Sequence, residues 1–458
     1  MKDIIVGVAT SINITSALSV IRLSGDKSLR IIKKISVVSK KQNWQSHKMI
    51  YGWIKDYENK KLIDEVFLCF MRAPKSYTRE NFVEIYCHGN PLIVNQILML
   101  ITSLGVRLAY PGEFTMRAFL NGRLSLCEAE SILDIINAKS IKGTTLAINT
   151  LKGSLSQTVR KIKSICLSLL TEIEFKIDFE EDNLYSYNYN SQVEILQKVI
   201  TELDSLVNTY DRNQLFIQGI NLVLAGKPNV GKSSLFNILV NQDKAIVTNI
   251  PGTTRDTIDA EILINDLMIK IYDTAGIQES NDPIEKIGII KTQETLTKAN
   301  LIFFVVDVLE FMSDKNKIVF DKFQKFVVPV FFIFNKIDKP FSFLTLYQFL
   351  ESFSKNVIFT SSLKYIGISN LKNELKKSLF RESNFEFGAF YLNQRNFTNL
   401  YEARLKLYQV IKAIKSGYVI DILTIDLREA IKLLDNVLGI AVSDTVLNLI
   451  FSKFCVGK

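Results

Sequence analysis

The segment GKPNVGKSS, from Gly226 to Ser234, constrains the fold of this chain more than any other part of its sequence. It matches the pattern GxxxxGK followed by Ser or Thr, in which backbone N–H groups surround phosphates at the N-terminus of a helix. The run INLVLA before it predicts a short buried strand, and SSLFNILV after it has the apolar spacing of a helix. This order of strand, loop and helix predicts an α/β nucleotide-binding domain.

The loop pattern suggests a role for each of its residues. We expect Lys232 to contact the β and γ oxygens of a nucleotide and the Ser233 hydroxyl to bind magnesium. Backbone N–H groups supply the other expected contacts. The predicted phosphate-binding residues are Asn229, Val230, Gly231, Lys232, Ser233 and Ser234.

Two motifs downstream indicate that the nucleotide is GTP. DTAG begins at Asp273, which is expected to hold the magnesium shell while the Gly276 N–H faces the γ-phosphate. NKID ends at Asp338, whose carboxylate can accept from both N1 and N2 of guanine, a pattern that adenine does not offer. The predicted contacts in these motifs are Asp273, Thr274, Ala275, Gly276, Asn335, Lys336 and Asp338.

The segment TNIPGTTRD, residues 248–256, predicts a loop that contacts phosphate and metal. Thr254 can bind magnesium, and Thr248 and the turn at Gly252 expose carbonyls close to the phosphates. Arg255 has two readings, an arginine finger or a salt bridge with a nearby carboxylate. The predicted nucleotide contacts are Thr248, Asn249, Ile250, Pro251, Gly252, Thr253 and Thr254.

The residue after DTAG is Ile277, where many small GTPases have a glutamine that orients the attacking water. An isoleucine cannot do this polar chemistry, so another group must position the water. Glu285 is the candidate carboxylate, and its alternative reading is an exposed glutamate on a helix face.

Composition sets bounds on the function. The formal charge of +9 permits nucleic-acid binding, but no basic block stands out, and solvated surface explains the lysines as well. Five cysteines without paired spacing predict a reducing cytoplasm, and two histidines leave little material for a zinc site. No apolar run reaches about 18 residues, so we expect no membrane span.

The order of strand-like and helical patterns along the chain predicts a multidomain α/β protein with four segments. Residues 1–118 predict an α+β domain, 119–215 a helical segment, 216–380 a Ras-like P-loop GTPase (G) domain, and 381–458 a second helical segment with one break at Gly439. In the first of these the strand-like runs are IIVGVA, ALSVIRLSG, DEVFLCFM and NFVEIYCHG, and the helical run is PLIVNQILMLITSLG. Apolar residues at alternating three- and four-residue steps from Leu151 to Ile173 call for a helical partner. The GTPase domain is therefore expected to be inserted into a single helical bundle.

Several motifs together resemble the MnmE (TrmE) family of bacterial tRNA modification GTPases over nearly the whole chain. They are RLSG at 22–25, APKSYT at 73–78, VEIYCHGN at 83–90, PGEFTMRAFLNGRLSL at 111–126, KIDFEED at 176–182, the GTPase motifs, and IFSKFCVGK at 450–458. The most specific is CVGK, since the family ends in Cys, an aliphatic residue, Gly and Lys.

The resemblance implies a reaction, a tetrahydrofolate ligand, a flavoprotein partner and a homodimer. Proteins of this family act with the flavoprotein MnmG, in a heterotetramer or larger complex, to add an aminomethyl or carboxymethylaminomethyl group to carbon 5 of the tRNA wobble uridine. A 5-formyl or 5,10-methylene tetrahydrofolate supplies the carbon, and the N-terminal domain forms a homodimer. The implied folate-binding residues are Arg22, Glu84, Arg123 and Lys458, with Cys455 a catalytic candidate of open role.

The resemblance also implies a potassium ion in place of an arginine finger. Its implied ligands are Asn229, Thr248, Ile250 and Thr253, and the carboxylate of Glu285 then orients water. Ser361 falls at the base-binding position. Departures from the family pattern are ATSINITSALSV near the N-terminus, TREN at 78–81 for TGED, Arg123 for lysine, and Gln278 for arginine.

Two alternative functions differ in class. One is a ribosome-assembly GTPase that acts as a switch on ribosomal RNA. Such a protein would carry an RNA-binding domain and would not end in CVGK. The other is a dimeric scaffold with degraded catalysis, which a hydrolysis assay with and without potassium separates from an active enzyme.

Overall fold

The computed structural model describes residues 3–11, 14–39, 43–179, 190–242, 260–264, 266–273, 296–310, 323, 328–342, 346, 356–379, 390–416 and 420–458. The chain divides into two compact units. Unit 1 contains Met1–Ile136, Ala147–Val207 and Leu392–Lys458, and unit 2 contains Asn137–Leu146 and Asn208–Tyr391. The four domain boundaries inferred from the sequence remain a prediction.

Unit 1 contains a mixed sheet with the strand order β3-β4-β5-β6-β2-β1-β7. Its strands are β1 (Ile5–Val8), β2 (Ser16–Ser24), β3 (Ser36–Val38), β4 (Met49–Lys55), β5 (Leu62–Met71), β6 (Phe82–Gly89) and β7 (Arg107–Leu108). Neighbours are antiparallel except β1 and β7. Burial alternates from residue to residue along β4 and along most of β2, so that one face of the sheet is buried and the other faces outward.

Helices α1 (Ser28–Ile35) and α2 (Pro91–Thr102) pack on the buried face of this sheet. The side chain of Asn90 accepts from the Leu92 N–H, and Pro91 occupies the first turn of α2, where no intrahelical donor is needed. Ile21, Leu68 and Ile85 are among the core residues that the strands contribute. The strands and the helix α2 expected for residues 1–118 are confirmed.

The remaining described helices of unit 1 come from three separate parts of the chain. They are α3 (Glu113–Leu120), α4 (Leu126–Asn137), the second part of α5 (Ile141–Leu151), α6 (Ser154–Phe179) and α7 (Asn190–Val207), and, from the C-terminal part, α11 (Gln394–Lys415), α12 (Ile420–Leu438) and α13 (Asp444–Phe451). α12 packs against both α6 and α11, and α11 packs against α7. The apolar stripe on α6 is buried, as its spacing predicts, and Gly439 ends α12 with a φ of 85°.

Unit 2 contains an α/β sheet with the strand order β13-β12-β11-β8-β10-β9. Its strands are β8 (Ile220–Ala225), β9 (Ala260–Ile264), β10 (Leu267–Asp273), β11 (Leu301–Asp307), β12 (Val330–Asn335) and β13 (Val357–Phe359), and its described helices include α8 (Tyr210–Gln218), α9 (Lys232–Gln242) and α10 (Ile368–Leu379). All neighbours are parallel except β9 and β10. The carboxyl ends of parallel strands share one edge, which is where α/β proteins bind ligands.

Within the described part of the chain, no helix is both long enough and apolar enough to cross a membrane. Four of the five cysteines are buried, and Cys455 is exposed. The predicted fold class, an α+β N-terminal domain, a helical bundle and a P-loop GTPase domain, is confirmed.

Candidate functional site

The loop from Gly226 to Lys232 connects the buried strand β8 to α9, as its sequence predicts. Asn229 and Gly231 have φ values of 64° and 99°, in the left-handed region. Such alternation turns successive backbone N–H groups toward one concave side, which suits an anion. A Cβ on Gly226 would collide with the carbonyl of Val305, so glycine is required where the loop leaves the sheet.

Lys232 lies across this loop. Its Nζ donates to the carbonyls of Gly226, at 2.9 Å, and Lys227, at 2.8 Å, and the side chain is buried. The ammonium is therefore held against the loop at the N-terminus of α9. Ser233 and Ser234 follow in the first turn of α9 and are exposed. These positions fit a triphosphate, because a cation and a helix N-terminus face the same loop.

Asn335 joins the NKID segment to the phosphate loop. Its Nδ2 donates to the Val230 carbonyl at 2.9 Å, and its Oδ1 accepts from the Ser362 N–H at 3.0 Å and from the Thr360 hydroxyl at 3.2 Å. The side chain is only 1% exposed. One buried amide thus fixes three loops at the carboxyl ends of β8, β12 and β13.

Lys336 makes a second connection between the same loops. Its Nζ donates to the Asn229 carbonyl at 2.6 Å and pairs with Asp307 at 2.7 Å. Asp307 ends β11 and is buried, and its other oxygen accepts from the Leu309 N–H. Lys336 therefore links the phosphate loop to the carboxyl end of β11.

Asp338 lies at the open end of this arrangement. The Ser361 hydroxyl donates to its carboxylate, and this bond lowers the pKa of Asp338 below its usual value. The Ser361 oxygen also accepts from the Lys364 N–H at 3.1 Å, which orients the hydroxyl. A charged, oriented acceptor at this point is the chemistry that recognises the N1–H and N2–H₂ edge of guanine.

Part of the predicted nucleotide site lies outside the described residues. This applies to Thr248, Asn249, Ile250, Pro251, Gly252, Thr253, Thr254, Thr274, Ala275, Gly276 and Glu285, and to Arg255 and Ile277. Asp273 ends β10, where its backbone pairs with Leu224 of β8. It therefore lies at the same sheet edge as the phosphate loop.

The second polar site lies in unit 1, on the outward face of the sheet. Arg22 of β2 and Glu84 of β6 are direct cross-strand partners, with Arg22 Nε 2.9 Å from Glu84 Oε1. The Tyr86 hydroxyl donates to the other Glu84 oxygen at 2.5 Å, and burial together with this carboxylate raises the pKa of Tyr86 well above its usual value. The site thus presents a half-buried guanidinium beside an acceptor-only carboxylate.

The C-terminal segment, Cys455–Lys458, completes this second site. Arg22 Nη1 donates to the Gly457 carbonyl at 3.2 Å, and Gly457 has a φ of 95° and packs against the Val8 carbonyl. Burial and the positive charge of Arg22 lower the pKa of Lys458. Cys455 is exposed, and its carbonyl accepts from the Gly112 N–H at 3.4 Å. Of the four predicted folate residues, Arg22 and Glu84 are thus in contact, and Lys458 lies close enough to feel the charge of Arg22.

Tyr77 lies between Arg123 and Arg22 and contacts both side chains. Tyr77 was not predicted from the sequence as a residue of this site. The Arg123 guanidinium lies 4.7 Å from the Tyr77 ring centroid and donates to the Tyr77 carbonyl at 2.8 Å, while Arg22 lies 5.9 Å from the same ring. The Tyr77 hydroxyl is bonded to Thr115 at 2.8 Å. The place of Tyr77 in the APKSYT motif, next to the TREN segment that differs from the family pattern, was a signal that could have suggested it.

Among the described residues, no group of three or more His, Cys, Asp and Glu side chains could hold a metal ion by itself. The parallel sheet, the phosphate loop and the linked NKID segment define a P-loop GTPase.

Comparison with known proteins places the chain within this class. Residues 4–123 match the model of the GTP-binding protein TrmE N-terminus, and residues 126–455 match the model of the MnmE helical domain. A probable tRNA modification GTPase MnmE of Cyanidium caldarium is 38% identical over 468 aligned positions, covering 100% of this chain and 99% of that protein. The tRNA modification GTPase MnmE of Synechocystis is 37% identical over 463 positions, covering 100% of both chains. The chain belongs to the MnmE family.

Proposed function

We propose that this protein hydrolyses GTP and uses the hydrolysis in the modification of tRNA. The observation that carries the proposal is the pair of links, through Asn335 and Lys336, that fixes the guanine motif against the phosphate loop. Membership in a family of tRNA modification GTPases supports the proposal that hydrolysis is coupled to tRNA modification. The cytoplasmic location inferred from cysteine usage stays a prediction.

In the proposed reaction, the loop N–H groups and Lys232 hold the phosphates, and Asp338 with Ser361 selects guanine. Lys232 leaves its present carbonyl partners only if the phosphates offer better acceptors, and a γ-phosphate does so because its charge strengthens the hydrogen bond. Magnesium, when bound, neutralises charge on the β and γ oxygens. Ser233, Thr254 and Asp273 are the residues proposed to hold it.

Potassium dependence is a further part of the proposal. Asn229, Thr248, Ile250 and Thr253 are the proposed ligands, and Glu285 is proposed to orient the attacking water. The described member of this set, Asn229, has a left-handed backbone, and its carbonyl accepts from Lys336 Nζ at 2.6 Å, so its position in the phosphate loop is fixed. A cation that neutralises the transition state is worth roughly 4 to 7 kcal/mol in comparable systems.

The site around Arg22 and Glu84 is the proposed binding site for tetrahydrofolate. A pterin offers adjacent donors and acceptors, which match a carboxylate beside a guanidinium. Arg123 and Lys458 add positive charge that suits the carboxylates of the folate tail. Cys455, exposed in the same C-terminal segment, stays a catalytic candidate.

The outward face of the sheet supports the proposed homodimer. Tyr51 and Phe67 lie in one cross-strand row, and they are 43% and 50% exposed. Met49 and Leu18, 53% and 50% exposed, extend this apolar surface along β4 and β2. A patch of large apolar side chains on a sheet face marks an interaction surface. The flavoprotein MnmG, in a heterotetramer or larger complex, is the proposed partner in the chemistry.

Two assays test the proposal. GTP hydrolysis is compared in potassium and sodium buffers of equal ionic strength, with Glu285→Ala as the catalytic variant, and strong stimulation by potassium that this variant abolishes is expected. The wobble nucleoside of tRNA incubated with GTP, a tetrahydrofolate and the flavoprotein is then analysed by mass spectrometry. Equal rates in both salts would contradict the potassium mechanism, and active hydrolysis without any modified uridine would favour the ribosome-assembly alternative.

A further inference from the structure

A row of aromatic and basic side chains lies along one face of α11. Its members follow one another at steps of three or four residues and therefore share a helix face. They are Phe397, Tyr401, Arg404, Tyr408, Lys412 and Lys415, called here the α11 stripe. At about 1.5 Å per residue the stripe is roughly 27 Å long.

The aromatic members of the α11 stripe are arranged as stacked planes. The rings of Phe397 and Tyr401 are 5.9 Å apart at an interplanar angle of 26°. The Arg404 guanidinium follows, 5.2 Å from the Tyr401 centroid and 5.6 Å from the Tyr408 centroid. Tyr401 and Tyr408 are 39% and 43% exposed. The two tyrosine side chains thus remain partly open to solvent beside a fixed cation.

The C-terminal half of the stripe borders a groove between α7 and α11. The groove has a volume of about 600 Å³, and its lining includes Gln197 and Thr201 from α7 and Tyr408, Lys412 and Lys415 from α11. It is open along its length, so it suits an extended chain better than an enclosed small molecule.

The charge of this groove is positive. Asp204 is the acidic side chain among its lining residues, and it is already bound by Arg404 Nε at 2.9 Å and by the Tyr408 hydroxyl at 3.2 Å. Lys412 and Lys415 have no ion-pair partner within the described ranges, and both are exposed. Two cations are therefore free to meet an anionic partner.

We propose that the α11 stripe and the adjoining groove bind tRNA. Unpaired bases stack on the rings of Tyr401 and Tyr408, and the phosphates beside them contact Lys412 and Lys415. Aromatic planes alternating with cations are how proteins hold single-stranded RNA, because every base has a π face and every linkage a negative charge. An acidic protein surface would use the two lysines and leave the open rings without a stacking partner. The proposal rests on the proposed function in tRNA modification.

The test measures binding of a fluorescein-labelled tRNA transcript to the full-length protein by fluorescence anisotropy at several salt concentrations. For Lys412→Glu with Lys415→Glu we expect about 10-fold weaker binding and a salt dependence shallower by roughly 1 to 2 in log–log slope. For Tyr401→Ala with Tyr408→Ala we expect a loss of about 10-fold with an unchanged slope.

The matched control is Lys60→Glu with Lys61→Glu, which reverses two exposed lysines in the turn between β4 and β5 of the same unit. This control is expected to bind tRNA within about 2-fold of the wild type, and Lys412→Arg with Lys415→Arg is expected to retain binding. Unchanged GTP hydrolysis and helix content establish that each variant is folded. The milder pair Lys412→Gln with Lys415→Gln replaces the reversal if that variant is unfolded.

Three outcomes contradict different statements. A wild-type protein that binds no tRNA would overturn this proposal and leave the proposed function in place, because the flavoprotein partner could then hold the tRNA, whereas the absence of modified uridine in the mass-spectrometric assay would overturn the proposed function. A wild-type protein that binds tRNA while both stripe variants match the control would overturn only the assignment of this surface. Stripe variants that keep tRNA but lose the flavoprotein partner in co-purification would also overturn it, and would assign the surface to that partner.

Discussion

The two polar sites of this protein are built in different ways. In unit 2 the described segments of the nucleotide site directly follow parallel strands of one sheet, and the hydrogen bonds of Asn335 fix the segments after β8, β12 and β13 to one another. In unit 1 the site around Arg22 needs residues from β2 and β6 and a backbone carbonyl 435 positions away, that of Gly457. The first site is a set of local motifs on a scaffold, whereas the second is a product of tertiary folding.

This difference determines how many contacts a single substitution should remove in each site. Apart from Asn335, whose amide joins three loops, a substitution in the nucleotide site removes one contact and leaves the sheet that carries it. A substitution that displaces the C-terminal segment removes several contacts of the second site together, because Arg22 and Lys458 are neighbours there. The four predictions below test this contrast, beginning with the largest effect.

Asp338→Asn is expected to weaken GTP binding by about 3 kcal/mol, or roughly 100-fold, because the amide replaces a charged double acceptor and places a donor against the guanine edge. Titration with a fluorescent GTP analogue measures the change. Asp211→Asn, an exposed substitution in unit 2, is the control and should bind normally. Wild-type affinity in Asp338→Asn would show that guanine is selected by other residues.

Arg22→Ala is expected to weaken binding of 5-formyltetrahydrofolate by about 2 kcal/mol, or roughly 30-fold. The variant loses a guanidinium and leaves the Glu84 carboxylate, buried at 8% exposure, without its cation. Isothermal titration measures the affinity, with the exposed Arg30→Ala in the same unit as the control. If GTP affinity fell equally, the two sites would not be independent.

Tyr77→Leu is expected to reduce folate affinity by about 5-fold, because its ring contacts both Arg22 and Arg123 and holds their guanidinium groups in place. Tyr77→Phe keeps the ring and loses only the bond to Thr115, so it should retain most of the affinity. A structural role alone would lower thermal stability in both variants. Equal folate affinity in Tyr77→Leu and the wild type would remove Tyr77 from the site.

The smallest expected effect is a pH dependence due to Lys458. Burial and Arg22 lower its pKa below the ordinary value of 10.5, so the folded protein loses this charge at a lower pH than the unfolded chain does. The contribution of Lys458 to the free energy of unfolding therefore rises with pH up to 10.5. Attraction for an anionic ligand declines over the same range. The difference in folate affinity between the wild type and Lys458→Met should shrink between pH 7 and 10, and a constant difference would contradict the lowered pKa.

The phosphate loop and the guanine motif were predictable because each is a short segment of contiguous residues. A glycine-rich loop between a strand and a helix has one geometry, and the structure shows that geometry from Gly226 to Ser234. The roles of Asp307, Thr360 and Ser362 were not predicted. They act by contacts with Lys336 and Asn335 across neighbouring strands, and only the order of strands in the sheet reveals such contacts.

In unit 1 the resemblance to a known family supplied what spacing could not. Arg22 and Glu84 are 62 residues apart, and no local pattern makes them partners. β4 was missed because Gly52 interrupts its apolar run, although glycine is required there by the close approach of the Val37 carbonyl. The end of α11 at Lys415 was also missed, since the residues before it continue a regular helical pattern.

The most direct test of the contrast between the two sites is a pair of binding titrations on a variant that ends at Phe454 and so lacks Cys455–Lys458. Removing this segment takes away the Gly457 carbonyl and the Lys458 ammonium from the second site. We predict that affinity for a fluorescent GTP analogue stays within about 2-fold of the wild type while affinity for 5-formyltetrahydrofolate falls by more than about 10-fold. Unchanged folate affinity, or an equal loss of both ligands, would contradict the account.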